Sequence, residues 1–544
     1  MRALTMDYQL TVPAILRRTE ALYASKPVVS RRADRTLHRY TYGECLTRAK
    51  RLAAALRRLG VGPGDRVATL CWNHHQHLEA YFGVCLSGAV LHTLNLRLHP
   101  DDLAYIARHA GDSVLIVDRS LWPLWEKFRE RTWVRHAIVV DAAGDVPEGA
   151  HDYERLVADA DERAFAFAEP DEDDAVAMCY TTGTTGRPKG VVYSHRAIVL
   201  HSLACAMADA FGVTERDSVL PVVPMFHANA WGLPFICALT GAGLVMPGPH
   251  LDPRSLLELL AAERVTVTAG VPTIWLGILY TLDELAGQGR ADAYDLSRLR
   301  VMLVGGAAAP ESMIRGFQER HGLAVLHAWG MTEMAPVGTV GTLPSEVLSQ
   351  PPDAQFAYRA RQGRPAAFVE IRARGGDGLV PWDGATMGEL EVRGAWVAGA
   401  YYESDDDVSR FTDDGWFRTG DIVTIDQRGT ITVQDRAKDL IKSGGEWISS
   451  VALESALAGH PAVAEAAVVS VPHPEWLERP LAVVVLKSGR TATADELIAH
   501  LAPHFPKWWL PDEVAFVDAI PKTSVGKYLK SALRERFRER AGVR

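Results

Sequence analysis

Leu46, Ala49, Leu52, Ala53, Leu56 and Leu59 recur three and four positions apart, a spacing that lines one face of a helix. Thr41 and Glu44 stand ahead of the run as a capping-box pair, and Gly60 follows it as a stop. A turn, GPGD (62–65), then leads into RVATLCW (66–72), a continuous apolar run of strand length. SVLIV (113–117), HAIVV (136–140), VTVTAG (265–270) and VMLVGG (301–306) repeat that texture, with helical stretches between several of them. The alternation predicts α/β sheets with helices on their faces.

From about 363 to 434 the pattern shortens to strands and turns: FVEIRAR, GELEVRG and TITVQD. DRAKDLIKSGGEW (435–447) then mixes charge with glycine. Beyond it come a helix near 450–458, strands AVAEAAVVSV (462–471) and LAVVVL (481–486), and a basic amphipathic helix from about 528. The pattern divides the chain into residues 1–434, a linker at 435–440, and a compact α+β unit over 441–544. Neither an internal repeat nor a low-complexity segment interrupts this order.

The chain of 544 residues is 48% hydrophobic and 23% charged, ordinary for a globular protein with a large core. Its formal charge of −9 argues against a dedicated nucleic-acid binder. Six cysteines, none in a CxxC pair, predict scattered core thiols of a reducing compartment. The first twenty residues lack the apolar core and cleavage site of a signal peptide. No uncharged run reaches the ~18 apolar residues a membrane span needs. These features predict a cytoplasmic protein that meets membranes only peripherally, through a lipid-like substrate.

The candidate chemistry starts at TTGTTGRPKG (181–190), after the strand-like AVAMCY. Glycines there let backbone N–H groups turn onto phosphate oxygens, threonine hydroxyls add donors, and Lys189 adds charge. The G-x-x-x-x-G-K-[ST] phosphate-loop pattern does not fit, because Pro188 stands five positions after Gly183 and Gly190 follows Lys189. Alone, the stretch is equally a flexible polar turn. Four further motifs follow in order: VLVGGAAAP (303–310) with AWGMTE (328–333), GWFRTGD (415–421), DRAKDLIKSGGEW, and PKTSVGK (521–527). Together they resemble the adenylate-forming superfamily of acyl-CoA synthetases, firefly-type luciferases and amino-acid-activating modules. The resemblance covers nearly the whole chain and is nearest to bacterial medium- and long-chain fatty acyl-CoA synthetases.

That resemblance implies an α/β fold. A large N-terminal domain would hold two α/β sheets and a small β-rich subdomain, and a small α+β C-terminal domain would move. It implies ATP, Mg²⁺ and CoA. Thr181, Thr182, Gly183, Thr184, Thr185, Gly186 and Lys189 would hold the departing β- and γ-phosphates. Glu333 would bind Mg²⁺, assisted by Thr184, and Thr332 would donate to the α-phosphate. Gly305, Gly306, Ala307, Trp329, Gly330, Met331 and Trp447 would complete the nucleotide site. Asp421 would accept the ribose hydroxyls, seconded by Arg436. Lys527 would reach the α-phosphate and carboxylate oxygens during adenylation, where a cation stabilises developing charge. Lys438 occupies the hinge position. After rotation Lys442, Ser443, Gly444 and Gly445 would line the CoA tunnel.

Two departures stand out. Trp329 replaces the family's usual tyrosine, and Ala307 stands where close relatives often carry serine. In VPMFHANAWGLPF (223–235), His227 replaces the aspartate that amino-acid-activating relatives use to hold an ammonium. Phe226 and Trp231 would therefore wall an aliphatic acyl tunnel, with Trp231 as its gate and Gly270 and Val271 as a further wall. His227 would orient the carboxylate or the thiol, or serve as a structural imidazole. NHHQHLEA (73–80) lacks a neighbouring cysteine or carboxylate cluster at metal-ligand spacing.

The resemblance also implies a homodimer joined through the N-terminal segment. Four functions follow, in descending order: a fatty acyl-CoA synthetase; the same adenylation passing acyl groups to a carrier-protein thiol, or acting on an aryl or short-chain acid; a non-catalytic nucleotide-binding protein; and a phosphotransferase.

Overall fold

The computed structural model describes residues 4–141, 144–164, 169–181, 187–404, 408–444, 446–523 and 526–538. Its described strands form four sheets. A seven-stranded sheet runs through strands beginning at 151, 136, 112, 66, 90, 175 and 190, mostly parallel, with an antiparallel edge where Ala175–Tyr180 meets Gly190–Ser194. A nine-stranded sheet runs through strands beginning at 364, 337, 325, 301, 267, 218, 243, 27 and 37. A five-stranded antiparallel sheet spans 369–436. The fourth sheet lies beyond residue 440. The expected α/β fold, with a β-rich unit and a smaller α+β C-terminal unit, is the one observed.

The capping box forms as its residues dictate. Thr41 Oγ1 accepts from Glu44 N, and the Glu44 carboxylate accepts from Thr41 N at 2.8 Å, opening the helix Tyr42–Arg58. That helix buries Leu46, Ala49, Leu52, Ala53 and Leu56, the periodic face, while Gly60 takes φ +86°. Such a helix gains its stability chiefly from this apolar face rather than from propensity. The helix Val12–Tyr23 docks on its own chain, with Val12, Ile15 and Leu16 buried and Thr19 Oγ1 donating to Ala238 O at 2.8 Å. All six cysteines are buried and free. Among the described residues no helix is long and apolar enough to cross a membrane.

The parallel strands deliver their carboxyl ends, and the loops that follow them, to one cleft. Val301–Val304 ends at Gly305, Val325–Gly330 ends at the GMTE stretch, and Ala175–Tyr180 ends at Thr181. Ligands of open α/β sheets bind at such ends. The C-terminal unit closes over the cleft. Ser312 Oγ donates to Ala458 O at 3.5 Å and Tyr280 O–H to Ala464 O at 3.3 Å. Added β-carbons on Gly526 would stand 3.3 Å from Thr273 Oγ1 and 3.5 Å from Val271 Cγ2, so the loop carrying Lys527 lies against the start of the helix Pro272–Gly287.

Candidate active site

One cavity of about 650 Å³ gathers most of the motif residues. Its wall includes Thr181 and Lys189; Gly305, Gly306 and Ala307; Trp329 to Glu333; Asp421 and Arg436; His227 and Trp231; and, from beyond the N-terminal sheets, Lys438 and Lys527. Residues more than 340 positions apart therefore face one space. Thr182, Gly183, Thr184, Thr185, Gly186 and Gly445 lie outside the described residues. The base of the Thr/Gly loop is stapled: Thr181 N donates to Lys189 O at 2.9 Å, and Lys189 N to Thr181 Oγ1 at 3.1 Å.

Asp421 is held on both carboxylate oxygens. It sits on the strand Phe417–Ile425, directly opposite Arg436 on the neighbouring strand. Register places the guanidinium beside it, with Arg436 Nε 2.6 Å from Asp421 Oδ1. Trp329 Nε1 donates to the other oxygen, Oδ2, at 2.8 Å. The carboxylate is 2% exposed. Two donors, one to each oxygen, fix the direction of the buried carboxylate. The tryptophan that stands in the usual tyrosine position thus makes a bond of its own to the acid.

Close backbone approach makes glycine necessary around that indole. A β-carbon on Gly330 would meet Pro336 O at 1.9 Å, and one on Gly338 would stand 2.6 Å from the Trp329 ring. Glu333 lies on the short turn Thr332–Met334 and is 5% exposed. Tyr401 O–H donates to Glu333 Oε1 at 2.7 Å, Ala398 N donates to Glu333 O at 2.8 Å, and Tyr193 O–H donates to Thr332 O at 2.6 Å. Lys189 Nζ stands 5.2 Å above the Tyr401 ring. The cation, the phenol and the acid therefore form one chain from the Thr/Gly loop to GMTE.

Lys527 enters from the C-terminal unit, half-buried. A β-carbon on Gly306 would lie 3.9 Å from Lys527 Cε. Withdrawal from water and the neighbouring Arg436 lower its pKa to about 8, against the pull of Asp421 and Glu333. His227 is lowered to about 4 by burial and by Lys527, so its imidazole is neutral at physiological pH. Burial lowers the Lys438 pKa, with Arg436, Arg534 and Arg410 acting in the same direction against Asp439.

The linker is tied on both sides. Asp435, 1% exposed, accepts from Ser450 N at 2.9 Å and from the Ser450 hydroxyl. Lys530 donates to that hydroxyl and pairs with Glu454 at 2.7 Å. Asp439 pairs with Arg534 at 2.6 Å.

The acyl-side wall departs from expectation in part. Trp231 lines the cavity, its Cη2 only 3.2 Å from where a Gly305 β-carbon would stand. Ala228, Asn229, Ala230 and Trp231 take φ of 43°, 53°, 49° and 56°. Four successive non-glycine residues in the left-handed region each cost roughly 1–2 kcal/mol, so surrounding packing must hold this turn. Cys179 Sγ reaches Asn229 Oδ1 at 2.9 Å from below.

Three expected wall residues do not line the cavity. Phe226 points into the core beside Tyr180, its carbonyl accepting from Thr93 Oγ1. Gly270 is closed off by Trp275, 2.6 Å from a would-be β-carbon, and Val271 packs under the Lys527 loop. Pro272, Thr273 and Leu276 line the space instead. Trp447 lies outside as well, with Lys442, Ser443 and Gly444. The hairpin pairs Lys442 with Trp447, whose ring lies 4.9 Å from Lys442 Nζ, and Trp447 is 42% exposed. Gly444 takes φ +60°, and a β-carbon there would meet Trp476 at 2.8 Å. With Lys527 turned inward, this hairpin lies away from the cavity.

Tyr401, Tyr193 and Asp435 were not foreseen as site residues. Tyr401 sits in AGAYYESDDD, where no spacing or flanking motif marks it. Its role depends on a contact 68 positions away in sequence.

Cys71, His74 and Asp118 bring ligand atoms within 4.8 Å of one another. Both His74 nitrogens are taken, however: Nε2 by Asp118 at 3.0 Å and Nδ1 by His77 N at 3.2 Å. The arrangement is a helix cap.

Comparison with known proteins agrees with this geometry. The profile of AMP-binding enzymes matches residues 16–402, and that of the AMP-binding enzyme C-terminal domain matches residues 452–527. A long-chain-fatty-acid–CoA ligase of Thermus thermophilus is 50% identical over 541 residues, 99% of this chain and 97% of its own. A medium-chain-fatty-acid–CoA ligase of Ectopseudomonas oleovorans is 41% identical, over 98% of this chain and 97% of its own. The ATP-bound structure of MatB from Rhodopseudomonas palustris superimposes with a TM-score of 0.82 at 27% identity, covering 98% of this chain and 99% of that one.

Proposed function

The chain belongs to the AMP-binding enzyme family and is an acyl-CoA ligase of its adenylate-forming kind, and from that premise we propose that its acid is a medium- or long-chain fatty acid. The observation that carries this is the acyl-side wall. His227, Ala228, Trp231, Pro272 and Leu276 present apolar surface and one neutral imidazole there. The stretch 223–235 carries no carboxylate to hold an amino acid's ammonium, and His227 stands at that place. An aliphatic chain with a single polar end matches such a surface. The fatty-acid ligases at 50% and 41% identity support the same reading.

In the first half-reaction a carboxylate oxygen attacks the α-phosphorus of ATP and pyrophosphate leaves. Asp421, aimed by Trp329 and Arg436, accepts the two ribose hydroxyls and sets the nucleotide's register. Lys189 and the Thr/Gly loop receive the departing phosphates. Lys527 sits where negative charge grows on the α-phosphoryl and carboxylate oxygens, and its effect falls on the transition state. Neutral His227 donates to or accepts from the carboxylate without adding charge. Glu333, with one oxygen held by Tyr401, is a hard donor of the kind Mg²⁺ takes. The bound ion would neutralise phosphate charge.

In the second half-reaction the CoA thiolate attacks the acyl carbonyl and AMP leaves. The C-terminal unit turns about Lys438, withdrawing Lys527 and bringing the Lys442–Gly445 turn to the site. A small set of linker dihedrals absorbs such a motion. The bonds from Asp435 to Ser450 span the pivot and must break, whereas the Asp439–Arg534 pair lies beyond it and travels with the unit.

The direct test is AMP release from ATP, CoA and a panel of straight acids from C4 to C18. The reading predicts CoA-dependent turnover with a maximum at medium or long chains. A maximum at the shortest acids or at an aromatic acid contradicts it, and turnover requiring a carrier protein instead of CoA assigns a different acceptor.

A further inference from the structure

A second cavity, of about 270 Å³, opens on the N-terminal domain where the strand Pro27–Arg31 ends beside the helix His75–Ser87. Arg31 lines it and is 8% exposed. Its Nη1 donates to Ser255 O at 2.7 Å, while its Nε finds no partner among the described residues. Glu258, Asp252 and Glu263 act on it only at a distance, and none of them bonds to it. Arg32, beside it, is exposed and shares a 3.1 Å contact with His38 Nδ1. A guanidinium stays charged in proteins, and a charge withdrawn from water without a counter-charge is costly.

The acids of the cavity do not meet that need. Asp118 is spent on Trp72 N at 2.7 Å and on His74 Nε2. Arg119 is taken by Asp145, outside the cavity. Asp141 stands exposed at the rim. On the far side His75, 4% exposed, stacks on His38 at 3.9 Å, and its Nδ1 has no partner among the described residues. The amino end of its helix also faces this space, adding partial positive charge.

We propose that this cavity binds a small anion carrying a phosphate or carboxylate group, with Arg31 as its anchor and Arg32 as its outer clamp. The site is separate from the nucleotide cavity and does not depend on which acid the enzyme activates. Trp72 supplies a flat wall for any organic frame behind the anionic group.

The test uses full-length enzyme whose nucleotide cavity is filled with a non-hydrolysable acyl-adenylate analogue. Inorganic phosphate or citrate is titrated at constant ionic strength, with chloride as the control, while binding heat and melting temperature are followed. The proposal predicts one saturable site per chain, for either or both anions, and no response to chloride. Phosphate alone marks a phosphorylated ligand, and citrate alone a carboxylate. Arg31→Gln should weaken binding at least tenfold with ligase turnover unchanged. Should Arg31→Gln fail to fold, Arg32→Glu, at an exposed position, should still weaken binding severalfold. Loss of all binding once the nucleotide cavity is blocked overturns the proposal, as does equal affinity in wild type and Arg32→Glu.

Discussion

Trp329 Nε1 lies 2.8 Å from Asp421 Oδ2, across 92 positions of sequence. With Arg436 on the other oxygen, the acid we assign to the ribose is held in direction by the protein's own donors. Trp329→Phe keeps an aromatic face and removes only the N–H. A hydrogen bond to a charged group contributes about 1.5–3 kcal/mol. Steady-state kinetics should therefore show kcat/KM for ATP falling about tenfold or more, with KM for the acid nearly unchanged.

Lys527 yields a pH prediction. Burial and Arg436 lower its pKa to about 8. The lysine is charged below that value and loses its charge as pH rises through it. In the proposed mechanism adenylation needs the cation, so kcat/KM, which reports free-enzyme groups, should fall above pH 8. His227, lowered to about 4, stays neutral across the working range and gives no limb there. The stability contribution runs the other way. The unfolded lysine holds its proton to higher pH, so this residue's contribution to stability rises between pH 8 and the ordinary lysine range. A profile flat through pH 9 would contradict the placement of Lys527.

Asp435 and Ser450 bond across the proposed pivot between the two half-reactions. Asp435→Asn keeps the shape but removes the charge that Lys530 and Ser450 face. The Lys527-inward pose loses support, so adenylation should slow severalfold while thioester formation from supplied acyl-AMP holds or rises. Single-turnover measurements of each half-reaction decide this. Slowing of both to the same degree would make Asp435 a folding residue only.

Trp231 faces Gly305 at the acyl end of the cavity. Trp231→Ala should lengthen the space available to the chain. Each newly buried methylene contributes ~0.8 kcal/mol, or about fourfold in kcat/KM. The optimum in an acid panel should move to longer chains with KM for ATP unchanged. An unmoved optimum would leave Trp231 as core packing.

The helices and parallel strands were legible because their signals are local. The spacing of Leu46 to Leu56 and the Thr41/Glu44 pair act within a few residues, and the structure repeats them. The motifs likewise converged: Thr181, Glu333, Asp421 and Lys527 face one cavity. Contacts without a local signature were not legible. Tyr401 reaches Glu333, and Asp435 reaches Ser450, only because sheets bring distant strands together. Phe226 and Gly270 lie off the cavity lining for a related reason. Apolar character says that a residue is buried but not on which side of a backbone turn, and the left-handed run from Ala228 to Trp231 has no local signature in the sequence.

The central claim is that Lys527 serves one half-reaction and withdraws for the other. Lys527→Ala should be assayed for exchange of labelled pyrophosphate into ATP with a fatty acid, and separately for CoA-dependent consumption of supplied acyl-AMP. The account predicts at least a hundredfold loss of exchange, about 2.7 kcal/mol of transition-state stabilisation, with acyl-AMP consumption within a few-fold of wild type. Equal loss in both assays would contradict it.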